Sequence, residues 1–215
     1  MKENWTELVF VIDRSGSMSG LETDTIGGVN AVLAKNREVE GNAYVTTILF
    51  DHQIEYLHDH VDLRKVSNLT SKDYYVRGCT ALLDTVGDAI NHVDRVRRYM
   101  PKQFRAEKVI VTIVTDGLEN ASKRFTYPAV KKLIEEKTEE GWEFIFLGAN
   151  IDVAAEADRL GIAREYAAPY LADDMGTGIA YEAIATAQVM SRTVGSAKPG
   201  WADAVRKDAA MRAKH

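Results

Sequence analysis

The sequence predicts an α/β protein: a Rossmann-like, doubly wound, mostly parallel six-stranded sheet with helices on both faces and one antiparallel edge strand. Three observations carry this. Apolar, β-branched runs alternate along the chain with segments of helical period. The runs Leu8 to Ile12 and Lys108 to Thr115 are nearly continuous in apolar residues, as strands covered on both faces are. Finally, the segments 43–50 and 53–63 are separated only by Asp51-His52, which predicts a hairpin. Its second arm is the more polar, as suits an edge.

The elements follow in order. Leu8 to Ile12 is a strand that runs into Asp13. Ser19 and Glu22 have the spacing of a capping box, opening a helix with Ile26, Val29, Val32 and Leu33 on one face. Gly27-Gly28 inside it weakens the helix locally, which close approach to the sheet would explain. Gly41-Asn42 ends it. Ala43 to Phe50 is β-branched and aromatic, hence a strand. Gln53 to Leu63 alternates, placing Ile54, Tyr56, His58 and His60 on one face. Residues 64–78 read as loop with at most a short helix.

Leu82, Leu83, Val86, Ile90, Val93 and Val96 form a helical stripe, with Arg95, Arg97 and Arg98 near its C-terminal end and Pro101 as a stop. Lys108 to Thr115 is the central strand, ending in Asp116-Gly117. Tyr127 to Glu140 is a helix with Pro128 in its first turn. Trp142 to Leu147 is a strand, Asp152 caps a helix from Val153 to Leu160, and Arg164 to Ala168 is a short edge strand. The last major helix starts at Asp173 or Thr177 and runs to about Thr193. After the break Gly195 to Gly200, two readings of the Ala-rich remainder are open: a terminal helix, with Trp201, Val205 and Met211 as a small apolar stripe, or a disordered tail.

A length of 215 residues suits one large domain or one domain with a tail. The expected division is a domain over 1–194 and a C-terminal extension over 195–215. Hydrophobic residues at 46% are enough for a sizeable core. A net charge of -5 with no basic stripe argues against nucleic acid. Cys79 is the single cysteine, so no intrachain disulfide can form. The first residues, MKENWTE, lack the apolar core of a secretory signal. No apolar run approaches the roughly 20 residues that span a bilayer. The expectation is a soluble, cytoplasmic protein without membrane contact.

The chemistry gathers at the predicted strand ends. Asp13, Ser15 and Ser17 alternate just beyond the first strand, Thr80 precedes a helix, and Asp116 ends the central strand. In open α/β sheets ligands bind at the carboxyl edge. Two carboxylates and three hydroxyls contain no soft donor and suit Mg2+, with Mn2+ as an alternative, better than zinc. Each residue taken alone has a plainer reading. Ser17 and Thr80 could cap helices, and Asp116-Gly117 could be a turn. What these leave unexplained is the convergence of three oxygen-rich sites on one edge.

In this order, Asp13-x-Ser15-x-Ser17, Thr80 within GCTAL and Asp116 within VTDG resemble the signature of a von Willebrand factor A (vWA) domain with a metal-ion-dependent adhesion site (MIDAS). The resemblance covers about residues 6–193. It implies the vWA fold with Mg2+ at its top, Mn2+ or Ca2+ as alternatives, and Asp13, Ser15, Ser17, Thr80 and Asp116 as the metal site. It also implies a protein partner whose Glu or Asp completes the metal's coordination. The absence of a signal sequence resembles bacterial or phage intracellular members, which act inside larger assemblies such as those with AAA+ ATPases. Cys79 departs from the glycine common at that position and is expected simply to fill a tight turn.

Around this set, Asp84 is open to two readings, a support for the site or a structural residue. Glu119 and Asn120 are open to two readings as well, the rim of the site, which is the favoured one, or simply solvated side chains. His58 and His60 lack further zinc ligands nearby, and Glu135 to Glu140 reads as a solvated helix face. The competing function is a Mg-dependent phosphohydrolase or phosphotransferase with Asp13 as nucleophile. Such enzymes need a general acid two residues on, and Ser15 cannot serve at neutral pH. No phosphate-binding P-loop and no G-x-G-x-x-G occurs. The expected reading is a binding module with no catalytic residues.

Overall fold

The computed structural model of the chain describes residues 5–212. Among these residues β1 (Trp5–Asp13), β2 (Asn42–Phe50), β3 (Ile54–Asp62), β4 (Lys108–Thr115), β5 (Glu143–Gly148) and β6 (Ala167–Pro169) form one sheet in the order β3-β2-β1-β4-β5-β6. All neighbouring pairs are parallel except β2 with β3. The expected six-stranded sheet with one antiparallel edge is therefore the observed one.

Side-chain alternation along β1 divides the core into two layers. Leu8, Phe10 and Ile12 pack with α1 (Glu22–Arg37) and α5 (Asp174–Val194), through Val29, Val32, Leu33, Tyr181 and Ile184. Val9 and Val11 pack with α2 (Leu82–Tyr99), α3 (Tyr127–Glu139) and α4 (Val153–Leu160). Because β1 and β4 are buried on both faces, neither could alternate polar with apolar residues, which is why both runs were so apolar.

The strand order reverses at β1, flanked by β2 on one side and β4 on the other. Register places Asp13 opposite Phe50 and Ile12 opposite Val114. The chain segments leaving β1 and β4 therefore emerge side by side at the switch point, where this architecture places ligands.

Several local expectations are corrected. Ser19 does not cap α1. Residues Gly16–Met18 form a 3-10 turn, Leu21 occupies the N-cap position, and the Glu22 carboxylate instead accepts the Gly20 N–H at 2.8 Å. Gly28 serves close approach to α5 rather than to the sheet: a Cβ there would lie 2.3 Å from the Tyr181 ring, while Gly27 has open space. His58 and His60 do not share a face. Register shifts between Val45 and Ile48 bend β3, and His60 has φ of 53°. His58 Nδ1 meets Thr47 Oγ1, whereas His60 Nδ1 meets Glu7 Oε2 at 2.6 Å and its N–H donates to Thr46. Thr46 and Thr47 are consecutive on β2 and point to opposite faces.

The segment 164–168 is mostly not strand, since Arg164–Tyr166 is a 3-10 turn and β6 follows it with three residues. Within 135–140, Lys137 is buried, with Nζ 3.0 Å from Asp94 and 2.8 Å from Glu140.

The C-terminal remainder folds. α6 (Asp203–Arg212) packs on α5 and β6, with Trp201, Val205 and Ala209 buried. The Trp201 Nε1–H donates to the Glu165 carbonyl at 2.9 Å, and Arg212 pairs with Asp173, the N-cap of α5. Met211 departs from the expected stripe and is exposed. Residues 1–4, at the expected start of the domain, and 213–215, at the end of the expected C-terminal extension, lie outside the described residues. No helix among the described residues is long and apolar enough to cross a membrane.

Candidate metal site at the carboxyl edge of the sheet

The five residues singled out from the sequence converge. Ser15 Oγ lies 3.1 Å from Ser17 Oγ and accepts a hydrogen bond from Thr80 Oγ1 at 3.0 Å. Gly117 sits directly against this triad, since a Cβ there would come within 3.2 Å of Ser17 Oγ and 3.3 Å of Thr80 Oγ1. The glycine after Asp116 is thus a space requirement, and a larger residue would press on two hydroxyls. Neither Ser17 nor Thr80 caps a helix. The N-cap positions of α1 and α2 are Leu21 and Ala81, and neither makes a side-chain cap bond. Their hydroxyls stay with the cluster. Ser15 and Thr80 are buried, while Ser17 is exposed and gives the cradle its open side.

The two carboxylates differ. Asp13 is 0% exposed, and both its oxygens take hydrogen bonds, Oδ1 from the Ser15 N–H at 2.7 Å and Oδ2 from Thr115 Oγ1 at 2.6 Å. Burial pushes its carboxyl up to about 6, against the lowering effect of those bonds. Asp13 is therefore held by the scaffold through both of its oxygens. Asp116 is also buried, yet neither of its carboxylate oxygens has a hydrogen-bond partner. Burial raises its pKa too, with the nearby Ser17 hydroxyl opposing. A buried carboxylate with no aligned hydrogen bond, only the nearby Ser17 hydroxyl and its own N–H acting on it, is costly. Beside three hydroxyls it fits a site for a hard cation, with the donor set all oxygen.

Sequence reasoning missed what holds the cradle. Arg14 is 0% exposed, its Nε 3.3 Å from Asp51 Oδ2 and its Nη1 2.7 Å from Glu55 Oε2, though none of its N–H groups makes an aligned hydrogen bond. Arg77 Nε donates to the same Asp51 oxygen at 2.6 Å, and both guanidinium groups lie 5.4 Å from the Tyr75 ring centroid. The Gly16 N–H donates to the Gly78 carbonyl, and the Arg77 N–H to the Arg14 carbonyl. This network ties the loop after β1 to the segment before Thr80. Tyr74 OH adds a 2.7 Å bond to the Asp13 carbonyl.

On the other side, Asn120 Oδ1 accepts the Thr80 N–H at 2.9 Å. Glu119 accepts from the N–H groups of Leu83, Ala121 and Ser122. Asp84 accepts three backbone N–H groups, from Lys123, Arg124 and Phe125. Burial raises Asp84, but these three donors outweigh it and hold the carboxyl below its usual range. Of its two readings, the structural one holds: Asp84 staples the loop after β4 to α2. Glu119, expected at the rim, likewise ties that loop down. The bonds that join this loop to Thr80 and α2 span 36 to 41 residues, so no local spacing betrays them. Cys79 is exposed and does not fill the turn, which Gly78 makes with φ of +69°. No group of three or more His, Cys, Asp or Glu among the described residues is placed to hold a metal, so the oxygen cradle stands apart from any zinc-like cluster.

Comparison with known proteins agrees with this architecture. No protein-family model matches the sequence, and no curated protein does. Solved structures do match. Proximal thread matrix protein 1 from the mussel byssus, in a form described as having a zinc-occupied MIDAS motif, superposes with a TM-score of 0.58 at 15% identity, over 85% of this chain and 45% of that one. A von Willebrand factor type A protein from Catenulispora acidiphila gives 0.56 at 13% identity, over 86% of this chain and 43% of that one. Manganese-loaded TRAP protein of Plasmodium vivax gives 0.55 at 16% identity, over 83% and 73%. The chain spans less than half the length of the first two. Sheet order, layering and these neighbours together give the chain the von Willebrand factor A fold.

Proposed function

We propose that the chain is a metal-dependent protein-binding module. A divalent cation, Mg2+ in first place, would be held by the hydroxyls of Ser15, Ser17 and Thr80 together with Asp13 and Asp116. When bound, the cation supplies an electrophilic centre for one further acidic ligand. The partner is a protein segment presenting Glu or Asp on the side left open at Ser17. One observation carries the reading: both oxygens of Asp116 are buried without an aligned hydrogen bond, beside three clustered hydroxyls of which Ser17 is near enough to act on it. Zinc in the mussel neighbour's MIDAS and manganese in TRAP support a divalent cation as the class. Mg2+ is proposed because the donors are hard oxygens and only two are charged.

The chain's own groups do the positioning. Asp13, fixed by Thr115 and the Ser15 N–H, orients the loop that carries the two serines. Asn120 fixes the backbone at Thr80. The test is a pull-down with and without Mg2+, comparing wild type with Asp13→Ala. A partner retained only by wild type with Mg2+ is the expected result. Robust phosphoester turnover that depends on Asp13 would instead make the chain an enzyme.

A further inference from the structure

Beside the cradle lies a second feature that metal binding does not use. The strand ends of β4, β5 and β6 frame an open hollow of about 730 Å³. Leu118, Ile151, Pro169, Tyr170 and Leu171 line it, and α6 closes its far wall through Ala209 and Ala210. Continuity with the cradle is direct. Leu118 follows Asp116 by two residues, a span of at most about 7 Å. Thr115 pairs with Gly148, which also lines the hollow, and the Tyr170 N–H donates to the Gly148 carbonyl. Tyr170 is close enough to Asp116 and Asp13 for their charges to act on it.

The surroundings are unusually apolar for an exposed surface. Leu118 is 55% exposed, and Met211, which follows the lining residue Ala210 on α6, is 61% exposed. The charged side chains in the wall are Asp152 and Arg206, which cancel. Asp152 is engaged in capping α4, and Arg206 Nη2 donates to the carbonyls of Glu165 and Ala167. The hollow therefore favours an apolar side chain, whereas the cradle beside it favours a carboxylate.

We infer that the hollow is the second subsite of the same interface, and that its occupant is an extended partner segment. In that segment a bulky apolar residue lies about two to four positions from the Glu or Asp that reaches the metal. This rests on the metal-dependent reading of the cradle. It also gives α6 a role, because without Ala209 and Ala210 the hollow would lose a wall. An acidic residue alone would bind weakly here. The adjacent apolar contact supplies both affinity and choice of partner.

The test uses the full chain and short, fluorescently labelled Gly-Ser peptides. One type carries Glu alone, a second Phe alone, and a third Glu with Phe at the stated spacings. Each is titrated by anisotropy with Mg2+ and with EDTA. Burial of a Phe side chain predicts that the combined peptide binds about tenfold or more tightly than the Glu peptide, and only with Mg2+. Ala210→Glu and Leu118→Ser, both exposed positions, should bring the combined peptide down to the affinity of the Glu peptide. Mg2+-dependent thermal stabilisation in these variants checks that fold and cradle survive. Equal, Mg2+-dependent binding of the Glu and combined peptides overturns the subsite while leaving the metal reading intact. Binding indifferent to Mg2+, or no binding at all, overturns both.

Discussion

Asp13 and Asp116 set the chemistry at the scale of single residues, and their environments pull them apart. Asp13 is fully satisfied within the fold, and Asp116 is not. Since burial raises Asp13 to about 6 from 3.8, the native state without metal holds its proton more tightly than the unfolded chain does. Its ionisation therefore removes stability as pH rises from about 4 to about 6. A bound cation acts in the opposite sense, because it needs the ionised form. The melting-temperature difference between Mg2+ and EDTA should consequently be small at pH 5 and grow through pH 6 to a plateau above 7. A difference independent of pH would show that Asp13 takes no part in holding the metal. The five site residues were legible because their identities and order carry the pattern. Arg14, Asp51, Tyr74 and Arg77 were not, since their pairings span 26 to 63 residues and have no local periodicity.

Among the elements, legibility followed burial. β1 and β4 lie in the middle of the sheet and read plainly as apolar runs, and α2 read plainly from its stripe. The misreadings fell where tertiary contact overrides local spacing. The capping-box pattern at Ser19 lost to a 3-10 turn shaped by the cradle loop. The period-two pattern of the two histidines lost to a bulge. The glycine pair in α1 splits into two roles, which a mutant pair can separate. Gly28→Ala would drive a Cβ into the Tyr181 ring and is expected to cost about 1–3 kcal/mol by overpacking. Gly27→Ala meets open space on an exposed helix face and should gain up to about 1 kcal/mol. Urea midpoints of the two variants measure both signs. A neutral Gly28→Ala would mean that α1 and α5 are not closely packed there.

For the molecule as a whole, the sheet order brings the ends of β1 and β4 together, and the helices on both faces fix them. The last helix closes the structure over β6 and meets the N-cap of α5 through Arg212 and Asp173. Trp201→Ala removes a buried ring and its bond to Glu165, so a loss of about 3–5 kcal/mol is expected, read as a lower denaturation midpoint. A change near zero would place residues 195–212 outside the cooperative unit. The sequence alone left this segment undecided between helix and tail, because an Ala-rich stretch is compatible with both until its packing surface is known.

Mn2+ titration followed by electron paramagnetic resonance tests the metal cradle most directly, comparing wild type with Ser15→Ala and Asp116→Ala at neutral pH. Wild type should bind a single Mn2+ that Mg2+ displaces, and both variants should lose that binding while keeping their folded far-UV signal. Wild type that binds no Mn2+, or folded variants that bind it equally well, would contradict the assignment of the cradle as a metal site.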